Sequence, residues 1–304
     1  MIGVAAAPVS WGVFELTTED PRIPGPELVL DQIVAAGYAG TELGPPGFLG
    51  TAEEVRRRLE GRGLALVGAF LPVRLTDEAG FAADLRWLDE ILAFLDAAAP
   101  TPVRPKAVLA DAGSAERRAY AGRIDRHPEL QLAGETLATA LANLHRAAER
   151  ARAAGLEPVL HPHAGTWVET ADEIRAVADR LDPALVGLCL DTGHVRFGGA
   201  DPVGLARDYW PLVRHVHLKD VDGVVLDELR RDGFGIEEAW RRGIFSSLAT
   251  GIADIPGVVE TLRSGGYDGW VVVEQDRILS DADTPESLLA AARQNREILR
   301  RLGL

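Results

Sequence analysis

Short apolar runs alternate along the chain with longer segments in which apolar and charged residues recur at helical spacing. Continuous apolar runs are typical of parallel strands that are covered by amphipathic helices on the outside. The pattern therefore predicts an α/β protein in which strand and helix units repeat and close into a single (β/α)8 barrel over residues 1–304. The predicted strands cover residues 3–11, 40–44, 65–71, 107–110, 158–163, 186–191, 213–219 and 270–275.

Two of the predicted helices carry explicit start signals. Thr51 followed by Glu54 has the spacing of a capping box, in which the side chain of each residue bonds to the backbone of the other. Thr284 followed by Pro285 places a capping residue before a proline that favours the first turn. These signals predict helices that begin near residues 52 and 285.

Two connections are too long to be plain turns: residues 111–133 after the fourth strand and residues 220–254 after the seventh. Long loops in compact proteins are usually functional, and in barrels the loops that follow strands border the active site. We therefore expect both segments to cover the active-site face of a single barrel domain.

Acidic and imidazole side chains stand where three of the apolar runs end. Asp191 ends VGLCLD with His194 three residues later, His217 lies near the end of VRHVHLKD, and Glu274 follows WVVV. A buried, uncompensated carboxylate is costly, and a cation would compensate it. Asp191 could instead cap the next turn, but carboxylate oxygens and neutral imidazoles at one rim favour a divalent-metal site. His194 suits contact with substrate or with a metal ligand.

Alternation along the seventh strand puts His215, His217 and Lys219 on one face, toward the barrel interior. His217 lies nearer the rim and is the better ligand, whereas His215 lies deeper and fits a hydrogen-bonded packing role. Lys106 is the only other lysine in the chain. A desolvated lysine beside a metal can have a lowered pKa, so Lys219 is a candidate for proton transfer.

Further polar residues at predicted strand ends complete the candidate site. His161 and His163 share one face of strand five, and Glu169 follows after a short loop. Glu42 ends strand two and could transfer a proton, bind a substrate hydroxyl or be structural. Asp276 shares the face of Glu274 nearer to solvent and is a further candidate. Five of the seven histidines thus lie at or just beyond three strand ends, which favours a shared pocket over isolated core positions.

Composition narrows the range of partners. With 47% hydrophobic residues the chain can bury a large core, and a formal net charge of −14 disfavours nucleic acid and anionic membrane surfaces. The start of the chain lacks a basic and apolar leader pattern, and no apolar stretch has the length of a membrane span. The lone Cys189 lies in an apolar strand and fits a core filler. These features favour a cytoplasmic enzyme.

Six segments together carry a resemblance to a known family. The chain resembles the xylose-isomerase-like TIM barrels over nearly its whole length, and most closely their inosose dehydratase branch. The segments are PVSWGVFE (8–15), YAGTELGPPGFL (38–49), HPHAGT (161–166), LDTGH (190–194), HVHLKD (215–220) and GYDGWVVVEQD (266–276).

The resemblance implies one divalent metal ion, Mn²⁺ or Co²⁺ by preference with Zn²⁺, Fe²⁺ and Mg²⁺ as alternatives. Its ligands, one each from strands five to eight, map onto His161, Asp191, His217 and Glu274. Most of the superfamily has Glu at the position of His161, so His163, Glu169 or water are alternatives for that ligand. A second departure is at residues 248–251, where the dehydratase pattern has a tighter glycine pair.

The reaction expected from the resemblance is dehydration of a keto-inositol (inosose) through an enediolate, as in inositol catabolism. Lys219 or Glu42 would transfer protons, while His194, His163 and Glu169 would contact substrate or assist departure of the hydroxyl. The alternative is a metal-dependent ketose isomerase or epimerase acting on a small sugar or keto-polyol.

Two other classes fit less well. An abasic-site nuclease of this barrel type needs histidines early in the chain, yet none precedes His127. A sugar-binding barrel without metal is the remaining alternative.

Overall fold

The structure is a computed structural model that describes residues 2–100 and 102–304. Within these ranges the chain forms a closed barrel of eight parallel strands with helices between them. Each barrel strand pairs with the next barrel strand along the chain, and the last barrel strand pairs with the first. The predicted (β/α)8 fold is therefore confirmed.

The bounds of the regular elements are as follows. The strands are β1 Gly3–Ala6, β2 Gly40–Glu42, β3 Ala65–Val73, β4 Lys106–Asp111, β5 Glu157–Leu160, β6 Gly187–Asp191, β7 Val213–Leu218, β8 Asp220–Val221, β9 Phe245–Ser246 and β10 Trp270–Val273. The α-helices are α1 Pro26–Ala36, α2 Ala52–Glu60, α3 Glu78–Ala98, α4 Ala115–Tyr120, α5 Gly134–Ala153, α6 Ala171–Ala178, α7 Thr192–Phe197, α8 Pro202–Asp208, α9 Gly223–Asp232, α10 Ile236–Arg241, α11 Ile255–Ser264 and α12 Pro285–Arg301. Short 3₁₀ helices cover Pro8–Trp11, Ile124–Arg126, Pro128–Leu130 and Trp210–Leu212.

Apolar side chains form two layers. The larger layer lies between the strands and the outer helices and includes Val216 and Leu218 of β7, as the alternation in that strand predicts. Smaller groups, one of which contains Cys189, come from the alternate strand positions that face the barrel interior. The two predicted helix starts are confirmed, since capping boxes form at Thr51 and at Thr284.

Several predicted strands are longer than the observed ones. In the two that extend furthest beyond the observed end, a proline closely follows the last strand residue. β1 ends at Ala6 rather than at residue 11, and Pro8 begins a 3₁₀ helix. β5 ends at Leu160 rather than at residue 163, so His161 and His163 lie in the loop after it. Proline has no N–H to donate, so Pro162 cannot continue the ladder. The prediction that His161 and His163 are strand residues is wrong.

The two long connections contain short elements of their own. Residues 111–133 form α4 and two 3₁₀ helices, while residues 220–254 form α9, α10 and an antiparallel pair of β8 with β9. The segments contact each other, since Arg126 Nη1 donates to the carbonyl of Arg230 at 2.9 Å. An apolar cluster with members from both, among them Ala121, Leu229 and Trp240, lies between them.

Candidate active site

Asp191 is the last residue of β6 and is completely buried. Its Oδ1 accepts a hydrogen bond from the backbone N–H of His194 at 2.8 Å and so caps α7. Its Oδ2 has no hydrogen-bond partner among the described residues. The capping and metal-ligand interpretations of Asp191 are therefore compatible, since each uses a different oxygen.

Strand register places the β7 and β10 residues beside Asp191. In the barrel Asp191 pairs directly with His217, and His217 pairs with Val272. Glu274 lies two positions beyond Val272 and therefore points to the same side of its strand. His217 Nδ1 lies 3.2 Å from Glu274 Oε2 and 3.5 Å from Asp191 Oδ2.

His161 approaches the same point from the loop after β5. Its Nδ1 lies 2.7 Å from the carbonyl oxygen of Pro162, which leaves Nε2 directed to Asp191 Oδ2 at 3.7 Å. A ring nitrogen that donates to a carbonyl fixes the tautomer in which the other nitrogen can bind a metal. Burial lowers the pKa of His161 to about 3, so its imidazole is neutral.

One potential ligand atom from each of His161, Asp191, His217 and Glu274 lies within 4.8 Å of the others. The donor set has two imidazole nitrogens and two carboxylates, which suits Mn²⁺, Co²⁺, Zn²⁺ or Fe²⁺. Asp191 Oδ2 and His217 Nδ1 are buried without hydrogen-bond partners in the described chain, and a bound cation would satisfy both. On these observations the residues present fit a divalent metal ion.

The carboxylates of this group are held in their charged form. Burial would raise the pKa of Asp191, but the ammonium of Lys219 and the nearby imidazoles lower it well below its usual value. Burial likewise opposes ionisation of Glu274, yet His217 and Lys219 lower its pKa to about 2.

Lys219 lies in the middle of a second group of polar side chains. Its Nζ is 2.8 Å from Asp276 Oδ1, 3.0 Å from Glu274 Oε2, 3.0 Å from His194 Nε2 and 3.4 Å from Asp191 Oδ2. Burial would lower the pKa of Lys219, but these three carboxylates raise it above its usual value. The described carboxylates thus favour the ammonium form of Lys219, whereas the sequence predicted a lowered pKa for a lysine beside a metal.

Gly193 makes room for this lysine. A Cβ on Gly193 would lie 2.6 Å from Cγ of Lys219, so a larger residue would displace the lysine stem. The sequence Thr-Gly-His after Asp191 thus lets the aliphatic part of Lys219 lie directly on the backbone of α7.

Glu42 lies behind His217. Its Oε1 is 3.0 Å from Nε2 of His217 and 2.8 Å from Nε2 of His215. A carboxylate that accepts the second N–H of a metal-binding imidazole orients that ring and raises its basicity. Gly68 of β3 permits the arrangement, because a Cβ there would lie 2.7 Å from Glu42 Oε1.

Glu169 does not reach the candidate site. Its two carboxylate oxygens accept hydrogen bonds from the backbone N–H groups of Gly122 and Gly165, at 2.7 and 2.5 Å. It does not line the central cavity described below. The expectation that Glu169 binds substrate or metal is therefore corrected: its polar atoms are used to hold two loops together.

A buried ion pair lies next to Glu169. Arg117 is fully buried, pairs with both carboxylate oxygens of Glu173 at 2.8 Å, and donates to the carbonyl of Thr166 at 2.6 Å. Glu173 also accepts from the backbone N–H groups of Glu169 and Thr170. This pair fixes the loop that carries His161 and His163. The residues around Arg117 in the sequence do not indicate that role.

A cavity of about 390 Å³ opens above the candidate metal ligands. His161, His217, Glu274, Lys219 and Glu42 line its floor. The two long connections and the loop between β1 and α1 also line this cavity. Their lining residues include Phe14, Glu15, Leu16, Arg118, Glu237 and Trp240.

The other predicted candidates fall into two sets. His163 and Asp276 line the cavity, whereas His194 lies behind Lys219 and stacks on His163 with ring centroids 3.7 Å apart. Asp276 contacts Lys219 more closely than its place as an outside candidate suggested. Strand period could not indicate Arg118, Glu237 or Trp240, because they lie in the two long connections outside the barrel strands.

The chain belongs to the xylose isomerase-like TIM barrel family, whose model matches residues 30–302. It is 30% identical to the inosose dehydratase of Lacticaseibacillus casei over 299 residues, which is 95% of each chain. It is also 30% identical to the inosose dehydratase of Geobacillus kaustophilus over 90% of this chain and 87% of that protein.

Solved structures share the fold at low sequence identity. The IOLI protein with a bound zinc atom matches with a TM-score of 0.70 and 14% identity, covering 97% of this chain and 96% of that one. The probable 3-DHS dehydratase of petrobactin synthesis from Bacillus anthracis matches with a TM-score of 0.68 and 13% identity over 99% of both chains. L-ribulose 3-epimerase matches with a TM-score of 0.66 and 19% identity, covering 99% of this chain and 94% of that one.

The family and the named relatives identify the chain as an enzyme of the dehydratase or isomerase/epimerase type. None of the helices in the described residues combines the length and the apolar character needed to cross a bilayer.

Proposed function

We propose that this enzyme is a divalent-metal-dependent lyase that removes water from a keto-inositol, as part of inositol catabolism. One observation carries the proposal: two imidazoles and two carboxylates, at or just beyond the ends of β5, β6, β7 and β10, converge within 4.8 Å beneath a cavity. Full-length relatives named inosose dehydratase at 30% identity support this choice of substrate.

His161, Asp191, His217 and Glu274 would hold the ion, with Mn²⁺ or Co²⁺ preferred for this mixed set of nitrogen and oxygen donors. When bound, the ion would supply Lewis acidity to the ketone of the substrate and to the neighbouring hydroxyl. Glu42 would orient His217 through its Nε2, and the carbonyl of Pro162 would orient His161 through its Nδ1.

The reaction needs one base and one acid. A base takes the proton from the hydroxyl-bearing carbon beside the ketone, and the resulting enediolate expels the β-hydroxyl, which leaves as water once an acid protonates it. We assign the acid role to Lys219, because its ammonium reaches the cavity and is charged. We assign the base role to Glu42, whose carboxylate also lines the cavity and whose Oε2 is not used by the two histidines.

The remaining residues would bind the polyol. His163 lines the cavity beside His161, and Asp276 lines it beside Lys219, so both could contact hydroxyl groups. His194 would contact His163 and Lys219 on the side away from the cavity.

We propose that residues 111–133 and 220–254 cover this pocket within a single barrel domain, since Arg118 and Trp240, which line the cavity, come from them. A cytoplasmic location is consistent with the single, buried free thiol of Cys189.

The test is incubation of the Mn²⁺-loaded enzyme with inosose, followed by ultraviolet absorbance and NMR of the product. A conjugated α-hydroxy enone, the enol form of a 1,2-dione, formed with loss of one water supports the proposal. An isomer with the mass of the substrate would instead assign a ketose isomerase or epimerase to the same site. No turnover of inosose with Mn²⁺ or Co²⁺ would refute the proposed substrate.

A further inference from the structure

A second set of potential ligands adjoins the proposed metal site. His163, His194 and Asp276 each offer an atom within 4.8 Å of the others, and His194 and Asp276 are buried. Neither the family match nor the named relatives assign these residues to a metal. The donor set, two imidazoles and a carboxylate, is of the kind that binds divalent transition metals.

The ammonium of Lys219 lies within this second set. It contacts His194 Nε2 at 3.0 Å and both oxygens of Asp276 at 2.8 and 2.9 Å. It also contacts Glu274 Oε2 at 3.0 Å and Asp191 Oδ2 at 3.4 Å, and these are oxygens of the first ligand group. Carboxylates shared in this way are what would bridge two cations about 3.5–4 Å apart.

The charges of the surrounding carboxylates also favour a cation at the position of the Lys219 ammonium. Asp191, Glu274 and Asp276 carry three negative charges around Nζ when ionised, and Lys219 neutralises one of them. The two charges that remain match one divalent ion. Without the lysine, one divalent ion would leave a buried negative charge, which is costly without a further cation.

We propose that the ammonium of Lys219 takes the position of a second metal ion and thereby limits this enzyme to one divalent cation. This inference rests on the proposed metal site but not on the identity of the substrate. The stem of Lys219 is held against Gly193 of α7 and its ammonium lies 4.8 Å from the ring centre of Phe245, so the charge is fixed in place.

The test is Mn²⁺ titration of metal-free protein, with the number of bound ions measured by equilibrium dialysis and their coupling by electron paramagnetic resonance. The wild-type protein should bind one ion with the spectrum of isolated Mn²⁺. Lys219→Met should bind two ions and give a spin-coupled spectrum, and its first ion should bind roughly tenfold or more tightly because a neighbouring positive charge is gone.

Two matched variants separate charge from size. Lys219→Arg keeps the cation and should bind one ion. The double variant Lys219→Met with Asp276→Asn keeps the vacant space but loses a ligand, and it should return to one ion. If Lys219→Met proves unstable, Lys219→Gln replaces it in the same comparison.

Two results would overturn the inference: two coupled ions in the wild-type protein, or a single ion in folded Lys219→Met and Lys219→Gln. Failure of the substrate proposal is distinguishable, because it leaves these ion counts unchanged and is read from inosose turnover. Absence of any bound ion in the wild-type protein would refute the metal site itself and this inference with it.

Discussion

The candidate metal ligands come from two sides of the barrel that are held in different ways. Asp191, His217 and Glu274 lie at the ends of paired strands, and the register of the sheet fixes their relative positions. His161 lies beyond the end of β5, in irregular backbone held by buried side chains, chiefly Glu173 and its partner Arg117. Strand register thus positions three of the proposed ligands, whereas a separate buried ion pair holds the loop of the fourth.

The largest expected effect concerns the strand side. Asp191→Asn keeps the shape of the side chain but removes a negative charge and an anionic ligand, so Mn²⁺ affinity should fall by roughly four orders of magnitude, about 5.5 kcal/mol. Isothermal titration of metal-free protein measures the change, and circular dichroism checks the fold. Asp179→Asn, at the C-terminal end of α6, is the matched control. Unchanged affinity in Asp191→Asn would exclude Asp191 as a ligand.

The second-largest expected effect concerns the buried ion pair that holds the loop of His161. Arg117→Met leaves the buried carboxylate of Glu173 without its partner, which should lower the free energy of unfolding by about 3–5 kcal/mol. The control is Arg146→Met, whose pair with Glu78 is exposed and should be worth less than about 1 kcal/mol. Urea unfolding measures both. If the two variants lose equal stability, the buried pair does not have the structural role given to it.

Glu169 gives a pH-dependent test of the same loop. Burial raises the pKa of Glu169 to about 7 in the folded protein, above the ordinary value of 4.5. Between these values the folded state binds more protons than the unfolded state, so this group's contribution to stability falls as pH rises from about 4.5 to 7, by on the order of 2–3 kcal/mol.

Urea unfolding between pH 4.5 and 8 checks this prediction. Glu169→Gln cannot titrate, so its stability should fall less steeply than that of the wild-type protein over this interval. Parallel curves would show that Glu169 does not titrate with a raised pKa.

The smallest expected effect concerns the support of His217. Glu42→Gln weakens the acceptor for the Nε2 hydrogen of His217, so Mn²⁺ affinity should fall about tenfold, or about 1.4 kcal/mol. Metal titration is the measurement. A loss as large as that in Asp191→Asn would mean that Glu42 binds the ion directly, and no loss would remove it from the metal-binding arrangement.

The difference between the two sides also explains what could be predicted from sequence. Apolar runs that end in Asp191, His217 and Glu274 indicated both a barrel and a shared rim, because strand period and strand end are local properties of sequence. Alternation further indicated that His215 lies deeper than His217, and His215 indeed contacts Glu42 inside the barrel.

The loop side could not be predicted in the same way. Pro162 ends the strand pairing, so strand period gives no orientation for His161, His163 or Glu169. Their positions depend on long-range contacts such as that of Arg117 with Glu173, 56 residues apart. The ammonium state of Lys219 likewise depends on three carboxylates, at the end of β6 and just beyond β10.

We propose that one divalent ion binds among His161, Asp191, His217 and Glu274. Anomalous diffraction at the manganese edge from Mn²⁺-loaded crystals tests it most directly. We expect a single strong peak about 2.0–2.3 Å from an atom of each residue, with Nδ1 as the ligand of His217. A peak elsewhere, or none among these four side chains at full Mn²⁺ loading, would contradict it.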